Sequence, residues 1–347
     1  MAEQIFEPLP KTEVIKAVER RNPTRIPLVM ARWWGEGLTE QYGDRLRQLD
    51  RYPEDAVMVT ADSVPFGQMG LSWYDPQQAA KALDARAVLP DCKHLDEFID
   101  KMPDPDRPGL FDDLKRQADQ HRKTDRYVLF TLWNLFFEKP WVIRGMENLM
   151  LDYYEHPEEV HRLHDALCRN YVGLIRRAKR ELQPDGFWTS DDLGNQRQLM
   201  MKPDHFREFL KPYYCRVGDA CRETGLHFWL HSCGDNSTAL DDLIDAGLDV
   251  FHPVQKHTMD ERQTAKRFGG RLAFLAGFDV QHILQEGTPD DVRAEVRFLI
   301  DTFDRPDGGM ALAAGNGIVA GTPFENIEAF LDEAVRYGAQ HRRQFNP

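Results

Sequence analysis

Short apolar runs alternate with longer mixed stretches along the chain. Eight of the runs have strand length: residues 26–30, 56–60, 127–132, 186–190, 226–230, 250–254, 272–276 and 310–314. Apolar residues in them are nearly continuous rather than alternating, which predicts strands covered on both faces. The stretches between carry helix signals. Pro203-Asp204-His205-Phe206 opens one helix with proline in its first turn. Residues 240–246 followed by Gly247 read as a helix closed by glycine. Thr288-Pro289-Asp290-Asp291 starts another, running to about Thr302. Thr322-Pro323-Phe324-Glu325 starts the last, running to about Tyr337, with Thr322 and Glu325 spaced as a capping box.

Strand and helix in alternation predict a parallel α/β sheet. Eight such pairs predict a closed (β/α)8 TIM barrel, here with a short helical extension at the N-terminus. We expect one domain over residues 1–347, since α/β barrels of this length commonly form one unit. The chain shows no low-complexity segment and no repeat of the solenoid kind.

Charge narrows the choice of partners. Lys and Arg total 44 against 57 Asp and Glu, a net −13, and no basic run is present. That argues against nucleic acid and against an anionic membrane surface. No apolar stretch reaches the length of a membrane span, and Met1 to Lys11 lacks the apolar core of a secretory signal. The five cysteines show no disulfide-framework spacing, so a reducing cytoplasm is the expected setting.

In such barrels the chemistry sits on the loops that follow the strands. Arg32-Trp33-Trp34-Gly35-Glu36 follows the first run and Asp62 the second. Trp133, Asn134 and Glu138 follow the third, Asp191-Asp192 the fourth, and His231-Ser232-Cys233-Gly234-Asp235 the fifth. Gln255 and His257 follow the sixth, Gly277 and Asp279 the seventh, and Gly315-Asn316-Gly317 the eighth.

His231 and Cys233 lie two apart in an extended segment and so face the same way. They can share a zinc ion, or they can be a buried cysteine beside a hydrogen-bonded histidine. Asp191 and Asp192 offer a general base or a metal carboxylate, and equally a turn or helix cap. Asp62 is a candidate buried carboxylate or an Asx-turn residue. Trp33, Trp34, Phe66, Trp73, Trp133, Phe136, Phe137 and Trp188 gather near the strand ends. They can wall a pocket for a flat apolar substrate, or simply pack the core.

The run His231-Ser-Cys-Gly-Asp-Asn236 and the run from Leu240-Asp-Asp-Leu to Phe251-His-Pro-Val-Gln255 resemble the uroporphyrinogen decarboxylase superfamily. So do Leu275-Ala-Gly-Phe-Asp279, the segment Asp185 to Asn195, and Gly315-Asn-Gly followed by Thr322-Pro-Phe-Glu-Asn326. The resemblance runs from about Arg25 to about Tyr337 and implies the barrel. It also implies one of two chemistries: cofactor-free decarboxylation, or zinc-assisted methyl transfer involving a corrinoid protein.

Decarboxylases of the family resemble Met-Arg-Gln-Ala-Gly-Arg-Tyr after the first strand. Here Ala31-Arg-Trp-Trp-Gly-Glu-Gly37 keeps Arg32 but places Glu36 at the second arginine, which disfavours a polycarboxylate substrate. Asp62 matches their catalytic aspartate. His231-Ser-Cys233 resembles the first two zinc ligands of the methyltransferases. Asn316 stands where those enzymes have a third, cysteine ligand, and an amide is a poor zinc ligand. Asp192, His252, His257 and Asp279 are candidates to complete the site.

The resemblance therefore implies a methyltransferase that moves a methyl group from a small methylated substrate, such as an aryl methyl ether, to a corrinoid protein. His231 and Cys233 are the expected metal ligands. Asp62, Asp191, Asp192 and Asn316 are the expected catalytic positions. Arg32, Trp33, Trp34, Trp133, Gln255 and Asp279 are expected around the substrate. The alternative is a metal-free carboxy-lyase, with Asp62 stabilising a protonated intermediate and Arg32 gripping a carboxylate. A non-catalytic binding protein on an enzyme barrel is a third reading. Barrels often pair, so a homodimer is expected.

Overall fold

The computed structural model describes residues 6–61 and 87–346. Asp62, Phe66 and Trp73 lie outside the described residues. Among the described residues there are seven strands: β1 (Ala56–Thr60), β2 (Tyr127–Thr131), β3 (Gly186–Ser190), β4 (His227–His231), β5 (Val250–His252), β6 (Ala273–Phe278) and β7 (Met310–Ala314). Each matches a predicted run to within two residues at either end. β5 stops at His252 because Pro253, lacking an N–H, cannot continue a ladder.

The chain falls into two compact units. One comprises Met58–Lys123 and Val128–Leu248; the other comprises Met1–Val57, Thr124–Tyr127 and Asp249–Pro347. In the Met58–Leu248 unit, β2, β3 and β4 pair in parallel, with Trp188 opposite Trp229 and Ser190 opposite His231. Phe130, Phe187, Trp188, Phe228 and Trp229 are fully buried. Phe187 stacks on Phe228 with ring centroids 5.9 Å apart. Burying a side chain of that size is worth about 2–3 kcal/mol. The helix Pro157–Glu181 turns Val160, Leu163, Leu167, Tyr171 and Leu174 inward and packs on the helix Lys211–Thr224. This register places residues 190 and 231 side by side at the strand ends.

In the other unit β5, β6 and β7 pair in parallel. The helices Pro289–Phe303 and Phe324–Arg342 pack together, and rings from each meet β6: Phe303 on Phe274 at 5.0 Å and Phe330 on Phe278 at 4.7 Å. Thr288 and Asp291 form a reciprocal capping box. The expected box at Thr322 is absent. Pro323 is the N-cap, and the Thr322 hydroxyl is buried with no partner. The expected N-terminal helix spans Lys11–Val18.

The first predicted strand also differs. Residues 26–30 form an isolated parallel bridge, Leu28 opposite Leu312 of β7, instead of a strand. Val29 N–H donates to Leu312 O, and Leu312 N–H to Pro27 O. On the opposite edge, Leu28 N–H donates to Asp55 Oδ2 (2.7 Å) and Met30 N–H to Glu54 Oε1 (2.6 Å). Carboxylates take the donors that a ladder would use, and Pro27 has none to give. Asp55 is fixed in turn by Arg25, at 2.8 and 2.9 Å. No helix among the described residues is long and apolar enough to cross a membrane.

Candidate metal centre

Asp192, His231 and Cys233 offer one ligand atom each, all within 4.8 Å of one another. Strand register explains the approach. Asp191 N–H donates to His231 O, so the chain leaving β3 runs beside the end of β4. Cys233 Sγ lies 3.4 Å from His231 Nε2, and Asp192 Oδ1 lies 3.7 Å from the same nitrogen. Asp192 Oδ1 also accepts Cys233 N–H at 2.7 Å. Ligands at zinc bond lengths of 2.0–2.3 Å in a tetrahedron stand roughly 3.3–3.8 Å apart. The two separations from His231 Nε2 fall in that range, and carboxylate, imidazole and thiolate are a fitting donor set with a fourth position left over. His231 is buried, which lowers its proton affinity, while Asp192 acts the other way. A neutral imidazole is the form that binds metal.

The loops that carry these ligands touch backbone to backbone. A Cβ on Gly234 (φ +82°) would stand 2.3 Å from the C and O atoms of Gly194, and one on Gly194 would stand 2.7 Å from Asp235 N. Only glycine fits such an approach. Ser232 Oγ accepts Leu193 N–H and donates to Asn236 Oδ1. Asn236 Nδ2 reaches the carbonyls of Ser232, Cys233 and Gly234. Gly194, Ser232, Gly234 and Asn236 thus shape the turn that presents His231 and Cys233.

The adjacent aspartates differ in surroundings. Asp192 keeps about a third of its side chain exposed (34%). Asp191 is buried and accepts the N–H groups of Phe136, Phe137 and Glu138 and the Tyr214 hydroxyl, at 2.7–3.0 Å. It holds the start of the helix Glu138–Arg144. Burial pushes its carboxyl up to about 6, and the four donors restrain it. Glu138 is buried as well, and accepts Ser190 Oγ–H (2.8 Å) and Asn134 Nδ2–H (3.0 Å). Burial, then the charges of Asp192 and Asp191, raise its carboxyl well above the ordinary range. With four donors on Asp191 and two on Glu138, Glu138 is the more readily protonated of the two. Trp133 and Trp188 bracket His231, with ring centroids 6.2 and 6.4 Å away.

The family model for uroporphyrinogen decarboxylase (URO-D) matches residues 141–337, more than half of the chain. This chain belongs to the uroporphyrinogen decarboxylase family. Among its relatives is a methylated-thiol–coenzyme M methyltransferase of Methanosarcina mazei, 24% identical over 64% of this chain and 56% of the relative. A methylcobamide:CoM methyltransferase of Methanosarcina barkeri is 28% identical over 40% of this chain and 39% of its own length. A chloroplastic uroporphyrinogen decarboxylase of Oryza sativa subsp. japonica is 25% identical over 53% of this chain and 45% of the relative. The chain spans little more than half, or less, of the length of these curated relatives. A solved methyltransferase from Methanosarcina mazei shares the fold, with a TM-score of 0.67 at 16% identity over 97% of this chain and 99% of the other.

Within this family member, the remaining expected residues lie in the unit that contains β5–β7. Arg32 pairs with Asp50 (2.7 Å) and Glu54 (3.6 Å). Trp33 lies with its ring 6.5 Å from that of His252, whose Nε2 is 3.0 Å from Ala314 O. Trp34 bridges to Ile318, and Gly35 packs on Gly317. Asn316 is exposed, and its Oδ1 accepts Gly317 N–H. Gln255 closes a turn through its carbonyl. Asp279 approaches His257 and His282. Of the candidates to complete the metal site, Asp192 is the one gathered with His231 and Cys233. Glu138 was visible as a polar residue after β2, but no spacing pointed to its raised proton affinity. That shift comes from burial beside two other carboxylates.

Proposed function

We propose that this chain is a single-domain cytoplasmic methyltransferase that takes a methyl group from a small methylated substrate, a methoxy-aromatic compound being the preferred class, for a corrinoid protein. The convergence of Asp192, His231 and Cys233 carries this reading. These three would hold a zinc ion, which supplies Lewis-acid polarisation of the substrate oxygen. Trp133 provides an aromatic wall for a flat ring beside them. As the methyl–oxygen bond breaks, its electron pair stays on oxygen. Glu138, held by Ser190 and Asn134 and with its proton affinity raised, would give that oxygen a proton. Asp191 orients Glu138 by holding its N–H and the first turn of its helix. The carboxy-lyase reading is less supported, because it needs Arg32 for the substrate and Asp50 and Glu54 already engage that guanidinium.

The test is metal content of chelator-free protein, wild type against Cys233→Ser, together with demethylation of a methoxy-aromatic substrate in the presence of a corrinoid protein. Zinc that depends on Cys233, and turnover lost with it, are the expected results. Turnover unchanged in Cys233→Ser would defeat the reading.

A further inference from the structure

The loops after β5 and β6 hold a second set of donors. Asp279 directly follows β6, and its side chain is 6% exposed. Its carboxylate accepts the N–H groups of Gln281 (3.0 Å), His282 (3.3 Å) and Ile283 (3.4 Å), which fix its orientation. His282 Nδ1 lies 3.4 Å from Asp279 Oδ2. The His257 ring meets the His282 ring edge-on, with centroids 5.4 Å apart. One ligand atom from each of the three residues lies within 4.8 Å of the others. His257 sits at φ +66°, a left-handed conformation that non-glycine residues seldom adopt and that gathers at functional sites.

The cluster is open to solvent through its histidines. A cleft of about 620 Å³ opens beside His282, lined in part by Lys256, Glu286, Asp291, Glu295 and Phe298. Lys256 is already paired with Glu261 and Glu295. Asp279 is accounted for by the turn that it holds, whereas the exposed imidazoles of His257 and His282 add little to stability.

We propose that His257, Asp279 and His282 bind a divalent transition-metal ion, at a site that shares no donor with the Asp192 group and does not depend on the reaction proposed above. Two imidazole nitrogens and one carboxylate suit zinc, cobalt, nickel or copper. Calcium and magnesium are excluded by their preference for oxygen. The carboxylate is the fixed donor, and the exposed imidazoles close on the ion. The bound ion ties the loop after β5 to the loop after β6.

Equilibrium dialysis of the full chain against zinc and against cobalt, with metal counted by mass spectrometry, tests this. The variants are Cys233→Ser, His257→Ala and His282→Ala, with His282→Gln as a milder replacement should the alanine variant misfold. The expected result is one zinc-binding event that survives Cys233→Ser and is weakened by each histidine variant. The weakening should exceed the roughly 10–100-fold that losing an outer-shell partner costs. Cobalt at this site gives no thiolate charge-transfer absorption, so Cys233→Ser should bind cobalt without that band. Two outcomes overturn the proposal: Cys233→Ser that binds no metal, or histidine variants that keep wild-type stoichiometry and affinity. Failure of the Cys233 group instead shows as a lost thiolate band with the histidine-dependent ion intact.

Discussion

The two donor groups lie on strand-end loops, yet they are supported very differently. Behind Asp192, His231 and Cys233 stand a glycine–glycine backbone contact, the Ser232–Asn236 network and a buried carboxylate, Asp191, with four donors. Behind His257 and His282 stands a carboxylate that holds its own turn. Both histidines of that group are exposed, whereas His231 is buried. A site fixed on all sides can hold reacting atoms to within fractions of an ångström; a site on surface turns can gather an ion but cannot impose such geometry.

The largest effect should follow from disturbing the fixed site. Gly234→Ala must clear a 2.3 Å contact and keep φ +82°. We expect a loss of at least about 3 kcal/mol in urea unfolding and loss of metal from the Asp192 group, with the His257 group unaffected. Equal metal loss from both groups would erase the distinction.

The next effect separates the buried carboxylates. Asp191→Asn sets an amide against three N–H donors and should cost about 2–4 kcal/mol. Glu138→Gln replaces a protonated acid by its near-isostere and should cost under about 1 kcal/mol, while slowing methyl transfer about 100-fold. Equilibrium unfolding and turnover of both variants read this out. Equal destabilisation by the two would mean that Glu138 is ionised.

The smallest effect is in pH. In the Met58–Leu248 unit, His164 is buried, its Nδ1–H donates to Phe209 O, and burial lowers its pKa to about 4 from 6.5. The unfolded chain therefore binds a proton that the folded chain refuses, and stability falls as pH drops from about 6.5 toward 4. Glu54, in the other unit, is pushed up to about 7 by burial, with Arg32 opposing. Its stabilising contribution is complete below about 4.5 and is lost as pH rises through 7. His164→Gln should therefore gain about 1 kcal/mol on wild type when the comparison moves from pH 8 to pH 5.5, and Glu54→Gln should gain in the opposite direction. Denaturant midpoints at the two pH values check both signs.

Much of this was legible in the chain. Continuous apolar runs located β1 to β7, and Thr288 and Asp291 announced their helix. Residues 26–30 misled because their apolar character is that of a strand, while their donors go to Glu54 and Asp55, residues that sequence spacing cannot place there. Thr322 misled because Pro323 took the capping position. His231 and Cys233 were readable as a pair. Asp192 became their partner through the parallel register of β3 and β4, which side-chain patterns do not encode. The raised carboxyl of Glu138 was hidden for a similar reason, since its shift depends on neighbours distant in sequence.

The segment around Leu28 is buried, with Leu28, Val29 and Ala31 at most 1% exposed. A backbone N–H left unmatched in such a place costs about as much as a lost hydrogen bond. Here the donors of Leu28 and Met30 are claimed by carboxylates two dozen residues later. The same acids that deny this segment its place in a ladder therefore let an irregular stretch of backbone lie in the interior without leaving those two donors unanswered.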